Sequence, residues 1–295
     1  NFMHKIKFTD TKKAAELIGD GASIGTVGFV LTCAAEEIFM EMENRFLDTG
    51  SPKNLDIMWA SGIGDGQDVR GLNHLAHEGM LNRLIGGHYG LIPKLVEVVN
   101  NNQVEAYNFP QGVLSQMFRE MAANKPGVMT HVGLETFVDP EYEGGKLNEK
   151  TTEDLVQKVE INEEKYLFYK AQEIDTAIIR GTEADENGNI SFRKEALTVE
   201  ALAVAMAARN NGGKVIVQVE RIVKNGTIDP KDVVVPGAMV DVVAVVKDKK
   251  NHMQTAATQF NEDFISNARV VDEDKSDLPL TAKKAIARRS AMQLN

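Results

Sequence analysis

Disulfide chemistry is closed to this sequence, because its 295 residues contain one cysteine, Cys33. A lone thiol cannot form an intrachain bridge, and it fits a reducing, cytoplasmic setting. Long apolar runs are also missing. The longest, around residues 22–35, is too short to span a bilayer. The first ten residues have no basic stretch leading into an apolar core, so no signal peptide is expected. Asn1-Phe2 ahead of Met3 reads as an expression scar. Positive charge is short too: 33 Lys and Arg face 43 Asp and Glu, a net charge of −10. Such a surface repels phosphate backbones and anionic lipid, which argues against nucleic acid or membrane as a partner. A local basic pocket for an anionic ligand remains compatible with that balance.

What is present is ordinary globular material, 43% hydrophobic and 26% charged. A chain of this length buries enough surface to fold without metal or disulfide support. Val- and Ile-rich runs alternate with amphipathic stretches. Strands are expected at residues 23–30, 54–60, 83–85, 104–107, 175–179, 214–219 and 240–246. Helices are expected at 34–46, 91–99, 113–123 and 197–209. That alternation predicts an α/β fold, an open and mostly parallel sheet with helices on both faces. Residues 159–161 and 166–169, joined across Asn162-Glu163-Glu164-Lys165, add an antiparallel hairpin. The polar segment 139–154 before it is an excursion from the sheet. Beyond Lys247 the sequence turns polar, through Asp272 to Asp277, then ends in a helix over 282–294 that Thr281 can cap. This divides the chain into a domain at residues 3–250 and a linker with a connector helix at 251–295.

Two segments at strand ends could carry chemistry. Gly25-Thr26-Val27-Gly28-Phe29 closes the first expected strand, where glycine lets backbone N–H groups approach a ligand. The simpler reading is a tight strand-to-helix turn, and neither Gly19-Asp20-Gly21 nor Gly62-Ile63-Gly64 completes a dinucleotide fingerprint. Tyr107-Asn108-Phe109-Pro110-Gln111-Gly112 also sits between strand and helix, at the kind of edge where open α/β sheets bind ligands. There Gln111 either aims an amide N–H at an oxyanion or merely opens the helix.

Other features invite weaker readings. His74 and His77, three residues apart on an expected helix, lack a placed third ligand, so no metal is expected. Cys33 lacks a companion base and reads as a buried small residue. Glu36, Glu37, Glu41 and Glu43 read as a solvated helix face.

Taken in order, these pieces resemble family I coenzyme A transferases, particularly the long single-chain acetate and propionate type. The resemblance runs nearly end to end. It includes Ala76-His77-Glu78-Gly79, Gly86-Gly87-His88, Ala106 through Gly112, Gly144-Gly145-Lys146, Ile179-Arg180-Gly181-Thr182 and Leu278-Pro279-Leu280-Thr281. It implies ping-pong acyl exchange through a glutamyl-CoA thioester, with coenzyme A as substrate and no cofactor. The family's nucleophilic glutamate belongs to the C-terminal half. Glu186-Asn187-Gly188 looks like its Glu-x-Gly motif, but its context matches an acidic turn of the N-terminal half.

The chain therefore resembles the alpha-type half, whose partners would be a beta-type half, an acyl-CoA and a small carboxylate, in an oligomer. By the resemblance, Gln111 supplies an oxyanion donor, while Gly28, Phe29, Asn108 and Gly112 line the substrate site. Val27 stands where the family carries the first glycine of its Gly-Gly-Phe motif, and Cys33 and Ala35 replace a later Gly and Pro. A free-standing sugar-phosphate isomerase, or a sensor of acyl-CoA or sugar phosphate, is the alternative on a similar fold.

Overall fold

A computed structural model describes residues 5–265 and 279–294. The expected scar at Asn1-Phe2 and the polar linker 272–277 lie outside them. The chain divides into two compact units, Asn1–Asn261 and Glu262–Asn295.

Along the first unit run β1 (Lys7–Asp10), α1 (Thr11–Ala15), β2 (Ser23–Thr26), α2 (Glu36–Thr49), β3 (Leu55–Trp59), β4 (Leu81–Gly86), α3 (Pro93–Asn100), β5 (Glu105–Asn108) and α4 (Gln111–Ala122). There follow β6 (Gly127–Thr130), β7 (Val156–Ile161), β8 (Glu164–Lys170), β9 (Thr176–Arg180), β10 (Glu183–Asp185) and β11 (Ile190–Ser191). The unit closes with α5 (Ala201–Asn210), β12 (Lys214–Val219), β13 (Arg221–Val223), β14 (Val233–Val235) and β15 (Val242–Val245).

Among the described residues, eight strands form one sheet in the order β1-β15-β12-β9-β2-β3-β4-β5. Every neighbouring pair in it is parallel. Helices cover both faces, as the alternation of side chains requires. Ile57, Leu84, Ile178, Ile216 and Val242 pack with α1, α2 and α3 on one side. Met58, Ile85, Ile179, Val217 and Val243 pack with α4 and α5 on the other. Strands buried on both faces read as unbroken apolar runs, which is why they stand out in the sequence.

The expected hairpin is present and larger than expected. β7 and β8 pair across a two-residue turn, Asn162-Glu163, whose φ values of 53° and 68° are those of a type I′ turn. β6 adds a third strand on β8. A second small sheet, β13-β10-β11-β14, was not foreseen. Glu186-Asn187-Gly188 lies in the turn between β10 and β11. The excursion after β6 returns to the β5 edge: Asn108 N–H donates to Gly145 O (2.8 Å) and Leu147 N–H to Ala106 O (2.9 Å).

Several boundaries move for identifiable reasons. The strand expected over residues 23–30 ends at Thr26, because Val30, Leu31 and Cys33 take φ values of 47°, 66° and 60°. The helix expected from Leu197 begins at Ala201, since Val199 has φ 44° and the Leu197 carbonyl accepts from the Cys33 thiol (2.7 Å). β1, an edge strand reading Lys-Phe-Thr-Asp, has too little apolar pattern to announce itself. His74 lies in a short 3-10 turn, Gly71–Leu75, and His77 lies beyond it, so the two histidines do not share a helix.

The solvated acidic face is also corrected. Glu37 is buried and accepts from the Thr11 hydroxyl (2.6 Å) and the N–H groups of Lys247 (2.7 Å) and Asp248 (3.0 Å). Glu36 and Glu43 hold the His74 ring between them at 3.0 and 2.5 Å, and Glu43 also binds His77.

In the second unit α6 spans Ala282–Ala291, capped as expected by Thr281, whose hydroxyl accepts from Lys284 N–H.

Candidate active site

The carboxyl ends of the parallel strands converge on one edge of the sheet, and the sequence changes character there. After β2, Phe29 and Thr32 exchange backbone hydrogen bonds of 2.9 Å in each direction around Val30-Leu31. Both central residues sit in left-handed space without being glycine. Such conformations cost on the order of 1–3 kcal/mol each and concentrate where function requires them. The turn leaves Phe29 44% exposed while Gly28 and Val27 are buried beneath it. A Cβ on Gly28 would stand 3.3 Å from the side chains of Ala34 and Ile63, which would have to give by a few tenths of an ångström. Val30 N–H then donates to Gly62 O (2.9 Å), tying this turn to the loop after β3.

The second segment is built from β5 into α4. Asn108 Nδ2 donates to Gly86 O (2.9 Å), and Phe109 N–H donates to the same carbonyl (3.2 Å). Pro110 caps α4 with no side-chain hydrogen bond, and Gln111 opens the helix, exposed. Free N–H groups and the positive end of the helix dipole face outward here. A Cβ on Gly112 would point into open space. Gly87, at the end of β4, abuts this helix start: a Cβ there would stand 3.0 Å from Gln111 Cα and 2.0 Å from Ala60 O.

Gly28-Phe29 and Asn108-Gln111-Gly112 therefore both follow strand carboxyl ends at one edge of the sheet. Their strands, β2 and β5, are three places apart, which roots them about 14 Å from one another. The loops after β3 and β4 fill the interval.

A third cluster was missed as a site, although Arg180 belongs to a recognised motif. β9 neighbours β2, where the strand order turns outward in both directions, the position at which open sheets bind ligands. Arg180 Nη2 donates to Glu195 Oε2 (2.9 Å), both side chains being buried. Cys33 Sγ lies 3.6 Å from the same carboxylate. His252 Nδ1 accepts from Gln218 Nε2 (3.1 Å), and its Nε2 stands 3.5 Å from Glu195 Oε1.

Burial alone would raise the Glu195 carboxyl, but Arg180 and His252 hold it at about 2. Burial first, then the Glu195 charge, pushes the Cys33 thiol well up, which favours its protonated form. A cavity of about 210 Å³ opens above this cluster, rimmed by Lys194, Glu220 and Lys249. Only the fold could bring these residues together, since they come from segments far apart in the chain.

Among the described residues no three His, Cys, Asp or Glu side chains are grouped to hold a metal. No described helix is long and apolar enough to cross a membrane.

Comparison with known proteins places this geometry. The coenzyme A transferase family model matches residues 8–246. The chain is 45% identical over 289 residues to the caffeate CoA-transferase of Acetobacterium woodii, covering 98% of this chain and 55% of that protein. It is 38% identical over 294 residues to the acetate CoA-transferase YdiF of Escherichia coli K12, covering 98% of this chain and 54% of that one. The acyl-CoA transferase structure from Escherichia coli O157:H7 superimposes with a TM-score of 0.89 at 36% identity, over all of this chain and 56% of its own. The chain thus spans about half the length of the curated relatives just named. An eight-stranded parallel sheet, a small antiparallel sheet, a small mixed one and this sequence match lead to one conclusion: the chain belongs to the coenzyme A transferase family and is like its N-terminal half.

Proposed function

We propose that this chain is the alpha-type half of an acyl-CoA:carboxylate CoA-transferase and works only with a beta-type half, on the same polypeptide or a separate one. The observation that carries the reading is the match of 98% of this chain to 54–55% of two such transferases. In this reading residues 3–250 form the alpha-type domain and residues 251–295 lead toward the other half.

A glutamate carboxylate of the beta-type half attacks the acyl-CoA carbonyl. The C–S bond breaks, leaving an acyl-glutamyl anhydride and CoA thiolate. The thiolate attacks the glutamyl carbonyl and releases the acyl carboxylate, and an incoming acid reverses both steps. Each attack creates a tetrahedral oxyanion. Gln111, exposed at a helix start with its amide free to point into the crevice, supplies an oxyanion donor. Gly28 and Phe29 form part of the pocket wall, and Asn108 and Gly112 shape the floor beside Gln111. Contacts with coenzyme A far from the carbonyl supply binding energy that is used at the reacting centre.

Short-chain acids such as acetate or propionate are the first substrates to try. The 45% identity to a caffeate CoA-transferase favours a second reading, in which the acid carries an aromatic ring.

The test is covalent: incubate this chain alone, and the chain joined to its beta-type half, with acyl-CoA, then measure intact mass. A hydroxylamine-sensitive CoA adduct on the joined form alone supports the proposal. An adduct on this chain alone, at Glu186 or another glutamate, overturns the division of labour. No adduct on either form turns the reading to an isomerase or a sensor.

A further inference from the structure

We propose that His88 and the cleft beside it are the subsite for the incoming carboxylic acid, with the carboxylate on the imidazole and the apolar body against α3. The inference rests on the CoA-transferase reading and names the ligand contact of that same crevice.

His88 lies on the loop after β4, between the two segments set apart above. One residue earlier, Gly87 abuts the backbone of Gln111. On the other side the ring lies over Gly62, whose carbonyl accepts from Val30 in the turn that presents Phe29. The ring has a floor cleared for it. A Cβ on Gly62 would stand 2.7 Å from His88 Nδ1, and one on Gly90 would stand 3.2 Å from Cε1.

The main chain is held as well, because Trp59 Nε1 donates to the His88 carbonyl (3.3 Å). The side chain is exposed, and among the described residues no hydrogen bond engages its ring nitrogens. An imidazole seated over Gly62, on the loop between the two segments and with no ring hydrogen bond among the described residues, can offer an N–H to a ligand there. A ring N–H donating to a carboxylate oxygen is a charge-assisted hydrogen bond, the stronger kind.

The cleft argues for the rest of the ligand. It measures about 390 Å³, with Val96, Val99, Leu147 and Tyr89 as apolar wall and Asn108 beside His88. A space of this size is far larger than the methyl group of acetate would fill. Apolar side chains of α3 and its neighbours, with His88, Asn100 and Asn108 as the polar part of the lining, suit a monocarboxylate with a sizeable apolar body. Hexanoate and cinnamate are the probes, with acetate as reference.

The experiment uses the chain joined to its beta-type half, with steady-state kinetics for acceptor acid and donor acyl-CoA measured separately. His88→Ala is expected to raise KM for the acid about tenfold or more, while KM for acyl-CoA moves by less than about threefold. His88→Gln, which keeps an N–H donor, should recover most of the loss. Gly62→Ala, which displaces the ring without altering it, should reproduce the His88→Ala pattern. Val96→Phe, which fills the cleft, should lower kcat/KM for hexanoate and cinnamate relative to acetate by about tenfold.

The subsite is overturned if KM for the acid is unchanged in His88→Ala, or if both KM values rise together. It is equally overturned if Val96→Phe leaves the ratio of acids unchanged. The CoA adduct on unaltered protein separates the two failures: its absence sinks the transferase reading, while its presence with these results sinks the subsite alone.

Discussion

Arg180 Nη2 and Glu195 Oε2 stand 2.9 Å apart, buried at the carboxyl end of β9, with Cys33 and His252 packed on the same carboxylate. A charge pair so deeply desolvated stabilises little against an apolar pair, but removing one partner strands the other. Glu195→Gln or Arg180→Met should each destabilise the fold by about 3–5 kcal/mol in urea titrations. The double variant should lose less than the sum of the two. Additive losses would mean the ion pair is not the unit.

Gln111 is exposed, so its replacement should leave the fold alone. Gln111→Ala in the completed enzyme should lower kcat by about 10²–10³, the usual cost of one oxyanion donor, with unfolding midpoint unchanged. A loss of less than about threefold would assign the donor elsewhere.

The His74 cluster gives a signed pH dependence. Burial would lower the imidazole, but Glu36 and Glu43 outweigh it and raise it above its ordinary 6.5. Burial would raise Glu43, but His74 and His77 bring it below 4.5. The raised histidine contributes stability that is complete below pH 6.5 and lost as pH rises through the folded value. The lowered glutamate contributes above pH 4.5 and loses it as pH falls through its folded value. Stability from this cluster should therefore peak between pH 4.5 and 6.5. His74→Gln should flatten the decline above pH 6.5, read from unfolding free energy against pH.

Val30 holds φ 47° in the turn that presents Phe29. A β-branched residue there is strained, and Asn tolerates that region far better. Val30→Asn should raise stability by about 1 kcal/mol. A fall in unfolding midpoint would show that Val30 contributes packing worth more than its strain.

How much of this was written in the sequence depends on how local each feature is. The run Lys214–Val219 predicted a strand with the bounds the fold adopts, because burial on both faces demands continuous apolar residues. The hairpin and the Thr281 cap were legible for the same reason: each is decided within a few residues. β1 was not, since an edge strand needs few apolar side chains. Nor could the sequence announce that β9 lies beside β2, about 150 residues away, or that Glu195 and His252 would meet Arg180. The acidic residues of α2 were misread because their partners, His74, His77 and the amides of Lys247 and Asp248, arrive from other segments. Gln111 and Gly28 were singled out because each follows an expected strand, and both do lie just past the carboxyl ends of β5 and β2. The contact of Gly87 with Gln111, and the glycine floor under His88, were not legible, because they are facts about space rather than order.

The return of residues 145–147 to β5 bears on how the protein behaves in quantity. An unpaired edge strand is a template on which further chains can add, the first step toward insoluble fibrils. The Gly145 and Leu147 bonds to Asn108 and Ala106 occupy that template with the molecule's own backbone. At the opposite margin β1 is four residues long and bounded by Lys7 and Asp10, a poor seed for polymerisation. The main sheet of this chain is thus protected at both margins against strand-by-strand growth in a concentrated solution.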